Sequence, residues 1–270
     1  MSGPRTQGET QPVPAGRWAL RQTWRDLLFA HWPVPESILR PLIPDSLALD
    51  TFDGAAWVGV VPFRMSGVRL RGLPSEPMTG AFPELNVRTY VTLRAGTEKK
   101  PGVLFFCLDA GSPLAVAVAR RWYHLPYFNA RMSVTAEGER IRYTSRRTHR
   151  GATPAAFTVT YGPTAPVTCR EPGTLAHWLT ERYALYTTDR QGRLYRGDIH
   201  HPRWPLQAAE AEITVNTMAE AHGIALPDTA PLLHFARRID VRCWPIRRIR
   251  LPDASRRATM IAGADAPGPC

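Results

Sequence analysis

The sequence is short of lysine. Of its 34 basic residues only Lys99 and Lys100 are lysines, and the rest are arginine. Chemistry that needs an amine is therefore confined to one dipeptide, in the polar stretch RAGTEKKPG from Arg94, which reads as a turn. Cysteine is scarce too. The four, Cys107, Cys169, Cys243 and Cys270, show no C-x-x-C pairing and no regular spacing. In a cytosolic chain such cysteines are reduced packing residues, and no metal site is expected of them. No apolar run approaches the roughly 20 residues that a membrane span needs. The N-terminal MSGPRTQGETQPVPAGR has no apolar core region, so it does not read as a secretory signal. The expected location is cytoplasmic, with no membrane partner. Phosphate-loop and Ser-His-Asp patterns are absent, as are internal repeats and low-complexity linkers.

The net charge is +11. That balance invites comparison with nucleic-acid binders. The arginines are spread along the chain, however, with one denser run in RRIDVRCWPIRRIR from Arg237, and no nucleic-acid motif accompanies them. The expectation is a weak polyanion affinity at low salt and no specific nucleic-acid partner.

Strand-type residues dominate. AAWVGVVPFRM from Ala55, NVRTYVTL from Asn86, GVLFFCLDA from Gly102, ERIRYTS from Glu139 and AAFTVTY from Ala155 all read as strands. So do RLYRGDIHH from Arg193, AEAEITV from Ala209 and LLHFARRIDVRCW from Leu232, and Asn86 to Ala110 reads as a hairpin. Helices are few. PESILRPLI has Pro35 in its first turn, Ser112-Pro113 starts PLAVAVARRWY, TLAHWLTERY has helical spacing, and NTMAEAHG runs from an Asn216 cap to a Gly223 stop. The expected fold class is α+β, mostly β: a curved antiparallel sheet closing into a barrel with a few flanking helices. One domain is expected over residues 17–252. Residues 1–16 and 253–270 read as tails without apolar pattern.

Two stretches carry candidate site residues. ARRWYHLPYFNAR, from Ala119 to Arg131, ends a helix and then packs five rings, counting His124, into the seven positions Trp122 to Phe128. Such a run serves a core more often than a cofactor, yet aromatic walls with a few polar tips are what small-ligand pockets use. Arg120 and Arg121 sit where cations suit the helix dipole. In FPELNVRTYV, from Phe82, Glu84, Asn86 and Arg88 share one strand face. Because the next strand, VLFFCLDA, is almost wholly apolar, this sheet is expected to be covered on both sides, so the polar trio needs partners. Glu84 pairing with Arg88 is the simplest arrangement, and a ligand is the other. Weaker candidates are His200 and His201 with Asp198, whose adjacent histidines point to opposite strand faces, and a buried ion pair within Glu181, Arg182 and Tyr183. Asp109 with Ser112 reads as shaping the turn into the helix.

The run from Trp24 to Arg131, with LTERYALY at Leu179, DIHHPRWPLQ at Asp198 and PLLHFARRIDV at Pro231, resembles the YqjF-like family of bacterial proteins. The resemblance implies the acetoacetate decarboxylase-like fold, a curved antiparallel sheet closing into a cone-shaped barrel. The decarboxylase motif G-R-E-x-W-G-x-P-K-K corresponds here to A-R-R-W-Y-H-L-P-Y-F, Ala119 to Phe128. Arg120 and Pro126 are retained and Tyr123 stands for the tryptophan. The two lysines fall on Tyr127 and Phe128, neither of which can form a Schiff base. The early pattern Y-R-T-D-P-E-x-L corresponds to His31 to Ile38, which puts Trp32 at the pocket arginine. The pocket glutamate falls on Glu84 or on Asn86.

The resemblance and the residues together lead to an expected interior barrel pocket lined by Trp32, Glu84, Asn86, Arg88, Arg120, Tyr123 and Tyr127. Its partner is a small molecule, for which Arg88 or Arg120 would hold a carboxylate bidentately. Glu84 is the candidate general acid or base. No cofactor and no metal are expected, and a homo-oligomer is left open. The alternative is a non-catalytic interaction or scaffold protein whose pocket is filled by Tyr127 and Phe128.

Overall fold

The computed structural model describes residues 11–72, 80–95 and 100–250. Its elements in chain order are β1 (Leu20–Val34), α1 (Glu36–Leu39), β2 (Leu47–Leu49), β3 (Ala56–Leu70), β4 (Phe82–Leu93), β5 (Gly102–Ala110), α2 (Pro113–Trp122), β6 (Tyr127–Glu137), β7 (Arg140–Arg147), β8 (Ala156–Pro163), α3 (Leu175–Thr180), β9 (Ala184–Thr188), β10 (Leu194–His200), β11 (Gln207–Asn216), β12 (Leu232–Cys243) and β13 (Arg247–Arg248). The protein is mostly β, as its composition in strand-type residues requires.

Tracing hydrogen-bonded neighbours from β5 through β6, β7, β8, β11, β12, β1, β3 and β4 returns to β5, so nine strands close a barrel. β9 and β10 lead from β5 back to β12 on the other side and close a second, smaller ring with β1, β3 and β4. The wall β12–β1–β3–β4–β5 is common to both rings. This explains why β4 is buried along nearly its whole length: each of its faces meets a different core. Leu28, Ala30, Leu85 and Val87 point into the nine-stranded barrel with Tyr143, Phe157 and Tyr161. Leu27, Phe29, Val61 and Phe63 point the other way, with Trp204 and Val116.

Two β-bulges set which side chains reach which core. In β1, Asp26 takes a positive φ of 53° and the pairing with β3 shifts register between Arg25 and Ala30. Its carboxylate is held by Arg64 and Arg237, and its carbonyl accepts from Tyr161 Oη at 2.6 Å. The extra residue reverses the side-chain alternation. In β5 the register with β4 shifts so that Val87 faces Cys107 and Arg88 faces Phe105.

β5 and β6 are parallel neighbours, from Leu108 opposite Tyr127 to Ala110 opposite Asn129. Parallel strands need a crossover, and α2 supplies it. Ser112 caps this helix by accepting from Ala115 N at 3.4 Å, and Pro113 stands in its first turn. Asp109 does not share that task. It lies in a fully buried bidentate pair with Arg147, which replaces the turn role expected for it.

Other helical expectations shorten in the fold. PESILRPLI gives one turn of α-helix and a 3-10 turn over Arg40–Leu42; α3 stops at Thr180; and NTMAEAHG yields only a 3-10 turn, Glu220–His222, closed by Gly223 with φ of 73°. Of the expected polar turn at RAGTEKKPG, residues 96–99 lie outside the described residues. Lys100 is not simply solvated there: its Nζ donates to Asp198 Oδ1 at 3.0 Å. Of the expected tails, residues 1–10 and 251–270 lie outside the described residues, and Gly16 O accepts from Trp244 Nε1 at 3.2 Å. Among the described residues, no helix is long and apolar enough to cross a membrane.

Candidate functional site

A cavity of about 190 Å³ opens on the shared wall, inside the smaller ring and under α2. This differs from the interior of the nine-stranded barrel, which is filled by aromatic side chains such as Tyr143, Phe157 and Tyr161. The volume suffices for on the order of ten non-hydrogen atoms of a ligand. β1 contributes Gln22 and Trp24 before its bulge and Leu27 and Phe29 after it. The opposite side comes from Phe105, Leu185, Ile199 and Trp204.

β4 supplies the polar strip. Glu84, Asn86 and Arg88 all line the cavity, and each is less than a tenth exposed. Glu84 and Arg88 do not pair, which corrects the simplest expectation. They are four residues apart on an extended strand, about 13 Å along it. Glu84 instead accepts a hydrogen bond from Tyr127 Oη at 2.9 Å. Burial raises its carboxyl to about 8, against the weaker pull of the Tyr127 hydrogen bond. At neutral pH Glu84 is a carboxylic acid with an O–H to give. Tyr127 is held as a phenol, its acidity suppressed first by burial and then by Glu84.

Arg88 lies at the far end of the strip. Its guanidinium faces the ring of Phe29 at 5.4 Å and that of Tyr90 at 5.8 Å, and Nη2 donates to Leu179 O at 3.5 Å. Arg182 also lies over Tyr90, at 4.9 Å from its ring, and forms an ion pair with Asp50. Of the two guanidinium groups at Tyr90, only that of Arg182 meets a carboxylate. Behind them His31 Nε2 and Tyr90 Oη share a 2.7 Å hydrogen bond. Burial, then the charges of Arg88 and His234, keep His31 neutral. Among the described residues Arg88 has no acidic partner, and its Nε is buried without a hydrogen-bond acceptor. Asn86 Oδ1 and the indole nitrogens of Trp24 and Trp204 are likewise buried and unpartnered.

The remaining expected site residues divide. Tyr123 lines the cavity with Tyr127. Trp32 does not: it follows the β1 bulge by an even number of residues and packs in the nine-stranded core, with Nε1 donating to Thr229 O at 3.1 Å. Arg120 is also absent from the lining. Its side chain turns back to donate to Tyr127 O at 2.6 Å and faces the ring of Phe128. Phe128 packs on the nine-stranded core beside Arg147, 4.2 Å from the ring. It therefore leaves the cavity open.

The weaker sequence candidates take structural partners at or beside the cavity. Asp198 is enclosed by Lys100, Arg196 and Arg247 at 3.0, 3.2 and 3.4 Å. His201 stacks on Tyr183 and directs its two ring nitrogens at the carbonyls of Pro202 and Arg182. Glu181 holds Tyr183 Oη and Trp204 N, while Arg182 pairs with Asp50, so the expected ion pair is not internal to the Glu181–Tyr183 run. The run itself was a legible signal; its partner 132 positions away was not.

The fold and chain match known proteins. Solved structures of the same architecture include acetoacetate decarboxylase from Legionella pneumophila, with a TM-score of 0.60 and 13% identity, covering 93% of this chain and 99% of that one. An acetoacetate decarboxylase-like enzyme from Sphingomonas wittichii RW1 gives 0.57 and 14%, covering 90% and 98%. The enduracididine biosynthesis enzyme MppR complexed with pyruvate gives 0.58 and 11%, covering 88% and 93%. At such identities these similarities establish the fold alone. In sequence, the chain is 51% identical over 244 residues to the uncharacterized protein YqjF of Bacillus subtilis, covering 90% of this chain and 98% of that protein. Residues 21–240 match the family DUF2071, described as an uncharacterized conserved protein. With 51% identity to one relative and a family match over most of its length, the chain belongs to the DUF2071 family, on an acetoacetate decarboxylase-like scaffold.

Proposed function

We propose that the protein binds a small organic acid in the cavity, with the carboxylate on Arg88. The observation that carries this reading is the charge count around Tyr90: Arg182 pairs with Asp50, Arg88 has no acidic partner among the described residues, and His31 is neutral. A buried cation without a counterion is costly, and an incoming carboxylate would relieve that cost. The unpartnered N–H groups of Arg88 and of Trp204, whose ring meets Phe29, are donors suited to the same anion. The open volume beside Glu84 favours this reading over a scaffold whose pocket is filled by its own rings.

Glu84 is the group equipped to move a proton. As a buried acid it would give a hydrogen bond or a proton to a ligand oxygen, and Tyr127 would steady the carboxylate left behind. A route through an imine has no lysine among the cavity-lining residues to start it, and the resemblance puts Tyr127 and Phe128 where the decarboxylases carry lysine.

The test is a thermal-shift panel of small carboxylic acids and their amides on the full chain and on Arg88→Met. The acids should raise the melting temperature of the native chain, the amides should not, and Arg88→Met should respond to neither. Equal shifts by acids and amides, or a response retained in Arg88→Met, would overturn the reading.

A further inference from the structure

The cavity has a direction, and strand register gives it. Along β1 the lining runs from half-exposed Leu20 through Gln22 and Trp24 to Leu27 and Phe29, which are essentially inaccessible. Along antiparallel β3 it runs from half-exposed Leu70 and Val68 through Met65 and Phe63 to buried Val61. β4 lies in register with this gradient: Phe82 is opposite Met65, Glu84 opposite Phe63, Asn86 opposite Val61 and Arg88 one step deeper, opposite Gly59. Arg88 is therefore at the floor, Glu84 about midway, and the opening lies at the Leu20–Leu70 end.

The opening is apolar. Leu20, Val68 and Leu70 form one lip, and Ile246 and the α2 residues Leu114 and Trp122 the other. Leu114, Val118 and Trp122 follow at intervals of four, so they share one face of α2, and all three line the cavity. Leu114 is 55% exposed and Trp122 59%, two of only a few large apolar side chains left so open among the described residues. The polar groups nearer the mouth are already satisfied: Gln22 donates to Cys243 Sγ at 3.2 Å, and Asp198 has its cations. Unsatisfied polar atoms belong to the deeper residues Asn86, Arg88, Arg182 and Trp204, and to Trp24.

We infer that the ligand is a monocarboxylate with a linear apolar tail, its head at the Arg88 floor and its tail leaving through the Leu114–Trp122 lip, so that tail length sets affinity. This deepens the organic-acid reading and rests on it. Arg88, without an acidic partner among the described residues, matches one carboxylate at the floor, and the lip side chains Leu20, Val68, Leu70, Leu114, Trp122 and Ile246 are apolar. A tail longer than the cavity continues onto Trp122, which gives that exposed ring something to cover.

The experiment is calorimetric titration of straight-chain acids, from butyrate to dodecanoate, into the full chain and into Arg88→Met, Leu114→Ser and Trp122→Ser. The last two changes lie at exposed helix positions, where folding tolerates them. Affinity should rise about fourfold with each added methylene until the tail passes the lip. Trp122→Ser should weaken the long acids and leave the short ones unchanged. Affinity independent of chain length, or a Trp122→Ser loss equal for short and long acids, would overturn the tail. So would light scattering that shows a dimer dissociating in Trp122→Ser with acid affinities untouched, since a second copy would then cover the lip. If short acids bind through Arg88 but length has no effect, the carboxylate reading stands and the tail falls. If no acid binds at any length, both fall.

Discussion

Tyr127 donates to Glu84 Oε2 at 2.9 Å although the two residues belong to strands that are not neighbours, with β5 lying between them. The contact exists because α2 returns the chain parallel to β5 and sets Tyr127 beside Leu108, which in turn pairs with Asn86. A crossover helix thus places a phenol over a buried acid. Tyr143 Oη adds a bond to Glu84 O at 2.7 Å from the opposite face of the wall. Glu84 is fixed from both cores.

The titration of Glu84 should be visible in stability. Its carboxyl is raised from 4.5 to about 8 by burial, so between those values the folded chain holds a proton that the unfolded chain releases. That contribution is complete below 4.5 and is lost as pH rises toward 8. Glu84→Gln cannot titrate. Its stability relative to the native chain should therefore improve with pH across this window, by up to roughly 1.4 kcal/mol per pH unit. Urea unfolding of both proteins at several pH values measures it. The neutral histidines act with opposite sign but in both proteins alike. A difference that stays flat with pH would remove the buried acid.

Gly59 should not accept a side chain. A Cβ there would stand 2.9 Å from Cδ2 and Nε2 of His31, on the ring that faces Tyr90. Gly59→Ala should cost about 1–3 kcal/mol. A neutral substitution would show that His31 is free to swing and that the group behind Arg88 is not rigid.

Borohydride with acetoacetate should leave no adduct on a cavity residue. Lys100 is paired with Asp198, and the sequence resemblance puts Tyr127 and Phe128 at the positions of the decarboxylase lysines. Mass spectrometry after reduction reads this out. A stoichiometric adduct at Lys100 would contradict it, whereas scattered labelling of Lys99 would not.

The β4 trio was legible because β4 pairs with β3 without a break, so the period of two holds from Glu84 to Arg88. Trp32 was misplaced for the opposite reason. The Asp26 bulge reverses the alternation of β1, sending Leu27 and Phe29 to the cavity and Leu28, Ala30 and Trp32 to the other core. Arg120 keeps its place in the motif, but its reach is spent on the backbone of Tyr127. Nothing local in the sequence announces the pairs Asp109–Arg147 or Arg182–Asp50. They join strands and loops that only the closed sheet brings together. The strand-rich composition and the aromatic run after α2 sufficed for the architecture; the second ring, made by β9 and β10, depends on short pairings that no period reveals.

Whether Arg88 is kept for a ligand or for the fold is decided most directly by the unfolding free energy of Arg88→Met without ligand. A buried cation lacking a counterion adds little to stability, and Met replaces its stem against Phe29 and Tyr90. The variant should be within about 1 kcal/mol of the native chain, or more stable than it. A loss of about 3–5 kcal/mol, the cost of breaking a buried charge pair, would show that Arg88 has a structural partner and would contradict the ligand site.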